Sequence, residues 1–358
     1  MLAAPTSLQL AFRQLDEQRR RAALLCDTLG LAPQRTPYER VATGSPAELR
    51  RFAPPRRDAP PVLLVPAPFK TADIWDLLPA ASVVRRYLEA GYRVYLLSWP
   101  PIEETPEHCR LGLDDYAAGM LGAAAETVRA ETGAERIAVT GHSLGGTLAA
   151  LFSARYPERV RALTLLAAPL CYGPAAGAFG RLVALMPSLR PLMSDDAPIA
   201  GSLLNYISAS ASPQSFVLSR GADWLASLAH PEQMRLHLLV ERWALDERAL
   251  PGRLFNEIVE RLYRSDGFMS GELRIAGRAL GPGDLQAPVI ATASAGCDIA
   301  PPEAIAPALE RAGHGAYRLV RQEEEPGVSI QHLGVLVGPR AHERVWPQLL
   351  EWLQAQHP

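Results

Sequence analysis

The chain has 358 residues, of which 48% are hydrophobic and 21% charged, and carries a formal net charge of −2. That length makes one large domain or two small ones with an ample apolar core. The balanced charge and a pI near 6.5 remove any electrostatic reason to expect nucleic acid as a partner.

In chain order, Ser7 to Leu29 has the periodicity of an amphipathic helix and is followed by a Pro/Arg-rich connector, RRFAPPRRDAPP, ending at Pro61. Val62–Val65 and Tyr92–Trp99 read as strands, with a helix near Ala80 to Ala90 between them. A helix over Asp114–Thr132 leads into the apolar strand Arg136–Thr140, a second helix from Gly146, and another strand at Ala162–Ala167. This alternation implies a mostly parallel sheet with helices on both faces. From Cys171 to Leu285 the pattern changes to helices and turns rich in apolar and aromatic residues, which reads as an inserted, mainly helical cap. The sheet resumes with Pro288–Ser294 and Ala316–Arg321, and Ala341–Gln356 closes the chain as an amphipathic helix. The expected organisation is therefore an N-terminal segment (1–61), a core in two parts (62–170 and 286–358), and the cap (171–285).

Gly141-His142-Ser143-Leu144-Gly145-Gly146 joins a strand to a helix, the context of a nucleophile elbow. The turn is tight enough that side chains at positions 141 and 145 would collide, hence the glycines. Leu144 N–H then points where a substrate oxyanion would form. On such an elbow an acid and then a histidine follow the serine in sequence. Of the eight histidines, His108 and His142 precede the serine, and His230 and His237 lie in the middle region. His314, His342 and His357 read as surface residues. His332 alone sits between the last strand and the last helix, where the base belongs. Asp298, just past the penultimate strand, is the expected acid that fixes the His332 tautomer; a turn aspartate capping the next helix is the alternative. Asp284 falls before that strand, on the wrong side of the sheet.

Cys26, Cys109, Cys171 and Cys297 show neither metal-ligand nor CxxC spacing, which points to reduced thiols in a cytoplasmic protein. Cys297, beside the expected acid, reads as filler or as a second nucleophile. No metal or organic cofactor is implied. The opening residues lack a basic leader before an apolar core, and no apolar run is long enough to span a bilayer.

Several segments together resemble polyhydroxyalkanoate synthases, particularly the short, partner-dependent type, and their α/β-hydrolase relatives. They are Val62–Leu78, Ser82–Trp99, Asp115-Tyr116, Thr140–Leu148, Pro157–Leu170, Trp243-Ala-Leu-Asp246, Pro251-Gly252, Leu262-Tyr263 with Gly271, and His332-Leu333-Gly334-Val335 with Gly338. The resemblance implies an α/β-hydrolase fold and the trio Ser143, Asp298 and His332. It also implies a hydroxyacyl-CoA, carrier-bound acyl or ester substrate, and a partner subunit or homodimer. Two departures stand out. The family's synthases use a cysteine where this chain has Ser143, which favours an oxygen ester and hydrolysis over polymerisation. Lys70 takes the place of the family's loop asparagine, where it meets a CoA phosphate or a carboxylate, or is simply solvated. In the same loop Pro66 and Pro68 lack N–H groups, leaving Ala67 or Phe69 as the second oxyanion donor. Lys70, His142 and Trp243 are candidate substrate contacts. A non-catalytic scaffold on polyester granules, using the N-terminal helix, is the reading from another class.

Overall fold

The computed structural model describes residues 7–102, 105–173, 177–188, 193–313, 315–326 and 328–356. Eight strands form the main sheet: β1 Tyr38–Ala42, β2 Glu48–Phe52, β3 Pro61–Val65, β4 Arg93–Ser98, β5 Ile137–His142, β6 Val160–Leu166, β7 Val289–Ser294 and β8 Tyr317–Gln322. Their order is β1-β2-β4-β3-β5-β6-β7-β8. All neighbours from β4 to β8 pair parallel, while β2 runs antiparallel to both β1 and β4. The crossovers carry helices: α2 (Val83–Glu89) after β3, α3 (Leu121–Thr132) after β4 and α4 (Leu144–Arg155) after β5.

The sheet is covered on both faces, so β3, β5 and β7 are buried along their whole length and read as continuous apolar runs. Alternation still decides which core each side chain joins. Leu63 and Val65 pack with Leu121 and Phe152 on one face. Val62 and Leu64 pack with Trp75, Tyr87 and Trp346 on the other.

β1 and β2 lie where the sequence suggested only a helix and a connector. Five charged residues in β1 and β2 hide the strands: Arg50 pairs with Asp73, and Arg51 with Glu39 and Glu131, while Leu49 and Phe52 point inward. Such an edge strand lacks the apolar run that marked its parallel neighbours.

Between β6 and β7 the chain passes through α5 (Ala178–Leu185), α6 (Gly201–Ala211), α7 (Ser219–Ser227), α8 (Pro231–Ala244) and α9 (Gly252–Glu257). The N-terminal helix, Ser7–Cys26, packs on this insert. Its Asp16 carboxylate accepts from Gly201 N and Ser202 N at 3.0 and 2.7 Å, capping α6. Arg19 donates to Ala244 O, and Asp27, just beyond the helix, receives a two-pronged bond from Arg242. Among the described residues no helix is long and apolar enough to cross a membrane.

The helix behind the elbow strand depends on Phe152, which is wholly buried. Phe152→Ala is expected to cost about 3–5 kcal/mol, read as a lower urea midpoint at unchanged slope.

Candidate active site

β5 delivers the chain to Ser143 and α4 begins one residue later. The turn between them holds Ser143 at φ 54°, ψ −134°, a conformation that costs a non-glycine residue free energy and persists only when its surroundings impose it. Here they do: Ser143 N donates to Leu166 O at 3.0 Å, and Ser143 O accepts from Gly146 N and Thr147 N. The flanking glycines are sterically required. A Cβ on Gly141 would come within 2.5 Å of Gly146 Cα, and one on Gly145 within 2.3 Å of Val65 O. Leu144 opens the helix, so its N–H has no intrahelical acceptor and faces the same space as Ser143.

Ser143 and Leu144 border a cavity of about 460 Å³ lying between the sheet and the helical insert. Pro66, Ala67 and Phe69 from the loop after β3 form part of its wall, as do His332 and Leu333 from the loop after β8. The insert contributes mainly apolar groups, among them Phe179, Leu182, Met186, Phe216, Phe255 and Tyr263.

His332 is buried, and its Nε2 has no hydrogen-bond partner. Burial, with a smaller repulsion from His142, pushes its pKa well below the usual histidine value. His332 Nδ1 lies 3.3 Å from Cys297 Sγ. The expected contact with Asp298 is not what the structure shows. The Asp298 carboxylate accepts from Ser212 Oγ at 2.8 Å and Ser215 Oγ at 3.3 Å, and its carbonyl from Ala178 N at 2.7 Å. Asp298 therefore ties the insert to the sheet. Adjacent residues in this loop point opposite ways, and sequence position alone does not say which faces the histidine. The Cys297 thiol was the residue that the sequence undervalued; its position after β7 was the only available signal.

The three candidate substrate contacts, Lys70, His142 and Trp243, all line the cavity, and each also has a partner within the protein. His142 lines the cavity, but its Nε2 donates to His332 O at 2.9 Å, with the two rings 4.7 Å apart. Burial lowers its pKa from 6.5 to about 4. Trp243 Nε1 donates to Thr71 O at 3.0 Å. Lys70 is ion-paired with Glu247 and stands 5.1 Å above the Trp243 ring. Burial lowers its pKa against the pull of Glu247. Glu247 also accepts from Asn205 Nδ2 and lies 3.5 Å from Arg19, and residues 70 and 247 form a backbone bridge. The Lys70–Glu247 pair joins the insert to the loop after β3. Of the remaining histidines, His342 is buried with Nε2 on Leu336 O, against the surface position expected. His314 and His357 lie outside the described residues.

Two outcomes follow from this geometry. Gly145→Ala forces a Cβ into the Val65 carbonyl, so a loss of about 3 kcal/mol is expected, measured by urea unfolding. His142 is neutral when folded and protonates near its ordinary value when unfolded. Its contribution is therefore full above pH 6.5 and is lost as the pH falls toward about 4. The urea midpoint should drop between pH 7 and pH 5, and a flat midpoint over that range would contradict the buried neutral ring.

A family model described as the alpha/beta hydrolase fold matches residues 60–191. The chain is 25% identical over 295 residues to the poly(3-hydroxyalkanoate) polymerase subunit PhaC of Haloarcula marismortui, covering 82% of this chain but 60% of that protein. It is 24% identical over 301 residues to the subunit of the same name from Allochromatium vinosum, covering 84% of this chain and 82% of that protein. Among solved structures, a thermophilic esterase from Thermogutta terrifontis superposes with a TM-score of 0.53 at 17% identity, covering 90% of this chain and all (100%) of that one. Strand order, elbow and the family model give the chain an α/β-hydrolase fold, and over most of its length its sequence is similar to polyhydroxyalkanoate polymerase subunits.

Proposed function

We propose that the chain is a serine-nucleophile acyl-transfer enzyme that hydrolyses a hydroxyacyl thioester or ester through an acyl-enzyme. The observation that carries this reading is the convergence of the strained Ser143 and the unpartnered His332 Nε2 on one apolar cavity. A buried polar nitrogen left without a partner costs free energy, and a proton donor entering the cavity would relieve it.

In the proposed reaction His332 Nε2 takes the Ser143 hydroxyl proton while Oγ forms a bond to the acyl carbon. Leu144 N–H and a donor from the Ala67–Phe69 segment hold the oxyanion. Collapse expels the thiol or alcohol, which takes the proton back from Nε2. Water, deprotonated by the same nitrogen, then releases the acid and restores Ser143. The apolar walls suit the acyl chain. Lys70, being paired with Glu247, is not assigned to a phosphate. The four cysteines are free, which supports a reducing, cytosolic setting for such an enzyme.

A second reading is favoured by the relatives themselves, which are polymerase subunits: the acyl group passes to a hydroxyl acceptor instead of water. The deciding measurement is mass spectrometry of the protein incubated with 3-hydroxybutyryl-CoA, wild type beside Ser143→Ala. Free hydroxy acid and CoA, absent with the variant, is the expected result. Ser143-dependent oligomers would establish the transfer reading in its place. Fluorophosphonate labelling of Ser143, lost in His332→Ala, is expected of either enzyme and not of a scaffold.

A further inference from the structure

We infer that Cys297 is the positioning residue for the His332 base, holding by its sulfur the imidazole edge for which the sequence suggested an aspartate. This inference rests on the serine–histidine reading above. Its geometric basis is independent of that reading: Cys297 Sγ is 3.3 Å from His332 Nδ1, and Ala300 N also donates to the sulfur at 3.4 Å. The loop turns its donors toward the sulfur, which makes the sulfur an acceptor. His332 Nδ1–H is then the second donor, and the lone pair is left on Nε2, the ring nitrogen that has no partner within the protein.

The neighbouring carboxylate is occupied elsewhere. Asp298 holds two hydroxyls of the insert, those of Ser212 and Ser215. Of the titratable groups beside His332, His142 opposes its charge and Cys297 touches Nδ1, and neither supplies negative charge. Burial pushes the Cys297 thiol up to about 11, so it is neutral at ordinary pH. His142 is turned to the His332 carbonyl and opposes protonation of the ring. A thiol can therefore set the tautomer and orientation of the base, but it does not balance the imidazolium that forms during attack as a carboxylate would. The result is a weakly basic histidine whose activity survives to unusually low pH.

The test compares wild type with Cys297→Asp, Cys297→Ala and Cys297→Ser on the full chain, using two readouts. One is the titration of His332 by nitrogen-15 NMR, assigned with His332→Gln. The other is the pH dependence of the rate at which a fluorophosphonate labels Ser143. Cys297→Asp should raise both the His332 titration and the acidic limb of labelling by roughly 1–3 pH units. Cys297→Ala should slow labelling by roughly tenfold or more without raising the limb, and Cys297→Ser should recover part of the rate. Titration and limb that ignore every Cys297 substitution would overturn the inference. So would a labelling loss in Asp298→Asn that Cys297→Ala does not share. A His332 titration that responds to Cys297→Asp in a protein whose Ser143 never labels upholds the positioning role and overturns the nucleophile reading alone.

Discussion

The close approach of the elbow to the loop leaving β3 is the constraint on which the site depends. Val65 O and the Pro66 carbonyl lie where a Gly145 Cβ would be, and Gly146 packs against Ala168 and the Gly141 carbonyl. Three glycines in six residues thus let β5, α4 and the end of β3 share a space that side chains would fill. The same contact sets Ser143 in its strained conformation and puts Leu144 N–H beside Ala67 and Phe69 on one cavity wall. Strain in the serine is maintained by packing around it, as the bonds from Leu166 and to Gly146 and Thr147 show.

The helical insert is attached to this platform through two sets of polar contacts. In one set Asp298 gathers Ser212, Ser215 and Ala178 N. In the other, Lys70, Glu247, Asn205 and Trp243 join the insert to the loop after β3. Buried charges are tolerated there because each is paired and hydrogen-bonded. The cavity walls are mainly hydrocarbon and aromatic, and Ser143 and His332 border the same space. The N-terminal helix strengthens the attachment by capping α6 through Asp16, which gives it a packing role within the fold.

Under the proposed reading, a serine nucleophile and a histidine beside a neutral thiol make a different electrostatic setting from a charged triad. His332 sits among groups that oppose its protonation, and its basic nitrogen is preserved by burial. The proposed chemistry would rest more on geometry, oxyanion donors and exclusion of water than on a counter-ion.

Much of the platform was legible in the sequence because its signals are local. Continuous apolar runs marked β3, β5 and β7, and G-H-S-L-G-G between a strand and a helix marked the elbow. His332 was legible by its place between the last strand and the last helix. The edge strands β1 and β2 were not, since their charged residues find partners as distant as Asp73 and Glu131. Nor were the fates of Lys70 and Asp298, whose partners lie in the insert, far away along the chain. By itself the sequence determined the α/β alternation, the elbow and the loop that bears the histidine, because periodicity and glycine sterics act over a few residues. Only the tertiary structure decided that Cys297 rather than Asp298 meets His332, because the direction of neighbouring side chains in a loop is set by whatever packs against them.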